Sequence, residues 1–168
     1  MSAPEQQPVR PAVLVSARSE NAVRDFLARY VKRHLGMKKP QWRIRYRDEY
    51  MLTVLSRPLR AGESAAKAYG PYAACFPLIV ASLPDEAEGS GRAEALAWLK
   101  KSGFNPVVEL AIPDTASTGE RIDLGAELVN FLNSRCPWHG VPVDEADLPK
   151  DDGGRILPET GEGGIFLF

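Results

Sequence analysis

The apolar residues of this chain change period several times, and each change marks an element. Ala12-Val-Leu-Val15 is an unbroken apolar run that suits a buried strand. Behind it, Ala22/Val23, Phe26/Leu27, Tyr30/Val31 and His34/Leu35 recur every four residues and make one face of a helix, with Ser19 as N-cap and Gly36 as stop. Arg24, Arg29, Lys32 and Arg33 fall largely on the other side of that helix. From Gln41 the period shortens to two: Trp42, Ile44 and Tyr46 alternate with Arg43, Arg45 and Arg47, which predicts a half-buried strand carrying an arginine ladder on one side. Tyr50–Leu55 stays extended, either as the same strand past a bulge or as the return arm of a hairpin turning at Asp48-Glu49.

Pro58, Gly62, Gly70 and Pro71 break up the segment from Ser56 to Tyr72, so it reads as a loop with at most a turn or two of helix. Phe76 to Leu83 is the most continuous buried strand. A helix then opens at Ser90 or Gly91, buries Ala93, Leu96 and Leu99, runs to Lys101 and stops at Gly103. Pro106 to Ile112 is a further strand. Leu124 to Arg135, capped by Asp123, is a further helix with Leu124, Leu128, Val129, Phe131 and Leu132 inside. This order fits an α+β two-layer sandwich, a βαββαβ ferredoxin-like arrangement with an added C-terminal helix; a three-layer open α/β sheet is the alternative. Residues 1–11 read as a flexible arm and 12–140 as one α/β domain. Residues 141–168 read as an acidic tail rich in Gly and Pro, ending in the apolar strand Ile165-Phe-Leu-Phe168.

Composition adds the scale: 168 residues with 44% hydrophobic content support a single core. No apolar run is long enough to cross a bilayer, and the first residues lack the build of a signal peptide, so a cytoplasmic chain without membrane contact is expected. Cys75 and Cys136 make no disulfide framework and are expected to be reduced. The net charge of −1 conceals a segregation. From Arg18 to Lys67 there are 13 basic against 5 acidic residues; from Pro84 to Phe168 there are 7 against 16. Such a split bears on partners rather than on fold.

Catalytic patterns are sparse. The chain holds no Gly-x-Ser-x-Gly elbow, no His-Glu-x-x-His pair and no intact phosphate loop. Gly89-Ser-Gly91 could hold an anion between a strand and a helix, but Asp85, Glu86 and Glu88 put negative charge beside it. Cys136-Pro-Trp-His139-Gly resembles the second half of a Rieske iron–sulfur motif, in which a Cys and a His each ligate the cluster. The upstream Cys-x-His half has no counterpart at Cys75-Phe-Pro or near His34, so no metal and no cofactor is expected. His34 reads as a packed or helix-capping histidine, since a general base needs a positioned partner.

The expectation is therefore a non-enzymatic assembly subunit of a multiprotein complex, a homo-oligomer or part of a larger assembly. A basic face, an acidic face and extended termini would join its neighbours, as in viral neck and tail-completion rings. Arg29, Lys32, Arg33, Arg43, Arg45 and Arg47 would form the basic surface, and Ile165, Phe166, Leu167 and Phe168 would dock on a neighbour. A competing expectation is single-stranded nucleic-acid binding on the Arg43/Arg45/Arg47 face, and a third is a small enzyme.

Overall fold

The computed structural model describes residues 10–37, 42–46, 50–84, 86–87 and 89–135. The strands are β1 (Ala12–Ser16), β2 (Arg43–Tyr46), β3 (Tyr50–Leu55), β4 (Leu78–Ser82) and β5 (Val107–Ala111). The helices are α1 (Glu20–Phe26), α2 (Ala65–Tyr69), α3 (Arg92–Lys101) and α4 (Thr118–Arg135). A π-helical stretch, Leu27–Lys32, and a tight turn, Arg33–Leu35, extend α1 to Gly36, whose φ of 75° ends it as expected. Ser19 caps α1 by accepting the Ala22 N–H at 3.1 Å.

The five strands form one mixed sheet in the order β2-β3-β4-β1-β5. β1 is parallel to both β4 and β5, β3 is parallel to β4, and β2 runs antiparallel to β3. Tyr50–Leu55 is thus the return arm of a hairpin. The mixed α/β character holds, but the ferredoxin-like arrangement does not describe this sheet. A ferredoxin-like sheet is antiparallel and leaves one face open, whereas these parallel neighbours require crossovers that cover both faces. The chain leaves β1 toward the β2–β3 edge through α1 on one face, and returns through α2 and α3 on the other. Opposite directions across opposite faces keep every crossover of one hand.

The core accordingly has two halves. Val13, Val15, Leu52, Val54, Ile79 and Ala81 pack against Val23, Phe26 and Leu27 of the first helix and Leu128 and Leu132 of α4. Ala12, Leu14, Leu55, Leu78 and Val80 pack against Tyr69 and Tyr72 after β3 and Ala95 and Leu99 of α3. Burial on both faces explains why β1 and β4 are written as unbroken apolar runs. It also corrects the alternation assigned to the arginine strand, because Trp42 lies in the second half of the core while Ile44 packs against the first. In α3, Ala95 rather than Ala93 is inside. α4 begins six residues before Leu124: Ser117 accepts the Glu120 N–H at 3.1 Å, and Glu120 accepts the Ser117 N–H at 3.4 Å. That reciprocal Ser-x-x-Glu capping box is legible in the sequence.

One close approach fixes the packing of α4. A Cβ added to Gly125 would lie 2.2 Å from the Tyr30 carbonyl oxygen, inside the π-helical stretch. Backbone can yield little there, so Gly125→Ala is expected to cost about 1–3 kcal/mol, as over-packing does elsewhere. The urea midpoint checks this, with Gly119→Ala as control, since a Cβ at Gly119 meets only the Ser117 hydroxyl at 3.9 Å.

Candidate interaction surfaces

Open α/β sheets usually bind ligands outside the carboxyl ends of their parallel strands, where the strand-to-helix loops gather. In this chain those loops carry charges of both signs that answer one another. Arg57, after β3, donates to both carboxylate oxygens of Glu63 at 3.0 and 2.9 Å, and the Arg60 N–H donates to Glu63 at 2.8 Å. The Arg57 hydrogen bonds hold the Glu63 carboxyl below its usual range and raise Arg57 further. Arg60 reaches Glu20, at the start of α1, at 3.7 Å, and Arg18, after β1, reaches Asp114, after β5, at 3.2 Å. Beside these pairs an open cleft of about 550 Å³ is lined by Arg60, Glu63, Ser64, Ser90, Gly91 and Glu94, among others. Its wall is a docked pair of loops. Gly91 donates to the Leu59 carbonyl at 2.9 Å, and a Cβ there would lie 2.6 Å from that oxygen. Two carboxylates, Glu63 and Glu94, stand on the lining of this cleft and oppose an anion there.

The basic residues singled out in the sequence separate in space. Arg29 is exposed and paired with Asp25 at 2.7 Å, and Arg33 is exposed. Lys32 is a correction: it is 4% exposed, on the inner side of the helix. The wider π turn takes more residues per revolution than an α turn, so positions late in the stretch lag and rotate toward the core. Burial, with Arg24 as a smaller cause, lowers the Lys32 pKa from 10.5 to about 8. Arg43 is a second correction. It is 4% exposed, with its guanidinium 5.3 Å from the Trp42 ring, so the first rung of the ladder faces the interior. Arg45 stands opposite Met51 in β2, while its side chain, Arg47, Cys136, His139 and Ile165 to Phe168 lie outside the described residues. His34 is exposed rather than packed.

A surface that the sequence does not point to is the outer edge of β5. Ala12 donates to the Pro106 carbonyl and Ile112 to the Ser16 carbonyl, which fixes the even-numbered residues of this strand as those facing β1. In a parallel ladder alternate residues turn both backbone groups the other way, so Val107, Glu109 and Ala111 point theirs outward. Val107, Val108 and Leu110 are half-buried, leaving apolar surface on both faces of that edge. Glu109, paired with Arg92, is the one charge in the strand. The alternation of exposed Glu109 and Ala111 with apolar neighbours hints at an edge, but strand order is not written in any local pattern.

Two expectations follow from the buried and paired charges. The folded Lys32 pKa lies below its unfolded value, so between them the unfolded chain binds more protons, and stability should rise as pH climbs above about 8. Thermal melts should show wild type gaining on the order of 2 kcal/mol relative to Lys32→Met between about pH 7 and 9.5. Glu63→Gln, which loses its charge-assisted bonds to Arg57, should cost about 1–2 kcal/mol at neutral pH. Because the folded Glu63 pKa is lowered, that difference should shrink as pH falls through and below the ordinary carboxylate range; denaturant titrations at neutral and acid pH measure it.

Comparison with protein families, with curated proteins and with solved structures gives no match for this chain.

Proposed function

We propose that this chain is a non-enzymatic structural subunit that joins neighbouring subunits of a multiprotein complex in the cytoplasm, in the manner of ring-forming viral neck or tail-completion proteins. The observation that carries the reading is the edge of β5. It offers outward N–H and C=O groups between half-buried apolar side chains on both faces, the surface on which a strand from another chain adds. A heterologous contact of this kind closes into a ring or runs on as a filament.

The pairing of charges changes how the joint is expected to work. Arg18, Arg24, Arg29, Arg57 and Arg60 from the basic half of the chain each meet a carboxylate of the same molecule. Attraction between a basic and an acidic face is therefore weaker than the sequence suggests, and backbone pairing with apolar burial carries more of the contact. No helix among the described residues is long and apolar enough to cross a membrane. Nucleic-acid binding through Arg43, Arg45 and Arg47 would require Arg43 to leave its place over Trp42.

Light scattering on the purified chain at low and high salt tests the reading. Oligomers that persist at high salt are expected, because screening weakens exposed charge pairs far more than a buried strand contact. A strict monomer at high protein concentration in both buffers would remove homo-assembly.

A further inference from the structure

We propose that the strand added to the β5 edge is Ile165–Phe168 of a second copy of this chain; this rests on the assembly reading and names its joint. The argument begins with the segment's composition. Ile165-Phe-Leu-Phe168 has no polar position, so as a strand it would present apolar side chains on both faces. A strand of that kind needs cover above and below, as in the interior of a sheet with helices on both sides.

The β5 edge supplies both covers. On one face Val107 packs against the same core cluster as the partly buried Leu96 and Trp98 of α3, with the Arg92–Glu109 pair at its side of the strand. On the other, Leu110 packs against the same core cluster as the partly buried Leu124 and Phe131 of α4. Ile165 and Leu167 would fill one side and Phe166 and Phe168 the other, while their backbones take up the outward groups of Val107, Glu109 and Ala111.

Chain length argues for a second copy over the same molecule. α4 packs along the π-helical stretch and the turn that follows it, both running from the carboxyl to the amino ends of the strands. With 18 residues, about 27 Å, α4 outruns the roughly 17 Å of β5, so its last turn is already back where a returning strand would start. Joining α4 to a strand on its own β5 would then need only a short connection, such as compact domains use. The 29 residues 136–164 lie between instead. Extended, they reach up to about 100 Å, several times the ~14 Å radius of gyration of a domain this size.

Native mass spectrometry and light scattering on three full-length proteins decide the point: wild type, a deletion of residues 165–168, and Ala111→Pro. The proline removes one outward N–H and leaves the β5–β1 ladder alone, since Ala111 faces away from β1. Circular dichroism confirms that each variant is folded. The expected result is a wild-type oligomer whose dissociation midpoint rises at least tenfold in both variants, with a peptide of Gly163–Phe168 dissociating wild type. Wild-type oligomers unchanged by both alterations would overturn the tail as occupant and leave the assembly reading standing. A monomeric wild type would overturn the assembly reading. A monomer destabilised by both alterations would place the tail on its own β5 and overturn the second copy.

Discussion

The pairing of β1 between β4 and β5 is the constraint on which the other elements depend. A strand with parallel neighbours on both sides has no solvent face and no free edge, so its backbone groups are spent in the ladder and both rows of its side chains must be covered. Parallel neighbours also cannot be joined by tight turns, so each connection has to leave the sheet, cross a face and come back. That requirement puts α1 and α4 on one side and α2 and α3 on the other. It also brings α4 against the π-helical stretch closely enough for Gly125 to meet the Tyr30 carbonyl. Lys32 is buried as a by-product of the same wider helical turn.

The two ends of the sheet are closed by different chemistry. At the amino ends, the Arg10 guanidinium lies over the rings of Phe76 and Phe104 and donates to the carbonyls of Ser102 and Ala73. Its backbone exchanges two hydrogen bonds with Asn105, so a residue that composition assigns to the N-terminal arm is pinned into the fold. At the carboxyl ends the loops are tied by Arg57–Glu63, Arg60–Glu20 and Arg18–Asp114. The exposed members of this set are worth little individually, and the two-bond Arg57–Glu63 pair, with Arg57 only 13% exposed, carries most of what they contribute.

Much of the local structure is legible in the sequence because it is set by local periods and caps. The Ser19 cap, the Gly36 stop, the β1 and β4 runs and the helix after Gly91 depend only on neighbours a few residues away. What is not legible depends on which strands become neighbours. Trp42 and Arg43 read as opposite sides of an alternating strand, yet Trp42 stands just before β2 and turns toward Tyr72, taking Arg43 with it. Lys32 reads as solvent-facing under an α-helical period, and a π turn is invisible to that period. The outward edge of β5 follows from strand order alone.

The segregation of charge along the chain changes meaning in the light of these contacts. A basic front half and an acidic back half suggest two faces that attract one another between molecules. In the folded chain the basic half answers its own carboxylates first, Arg24 with Glu20, Arg29 with Asp25 and Arg57 with Glu63, and reaches into the acidic half through Arg18 and Asp114. Two of these pairs brace one helix and two tie loop residues, all within one molecule. With both faces of the sheet covered and its ends tied, the β5 edge still turns the backbone groups of Val107, Glu109 and Ala111 outward. There hydrogen bonds and apolar contact act together, and a partner is selected by its backbone and its side chains at once.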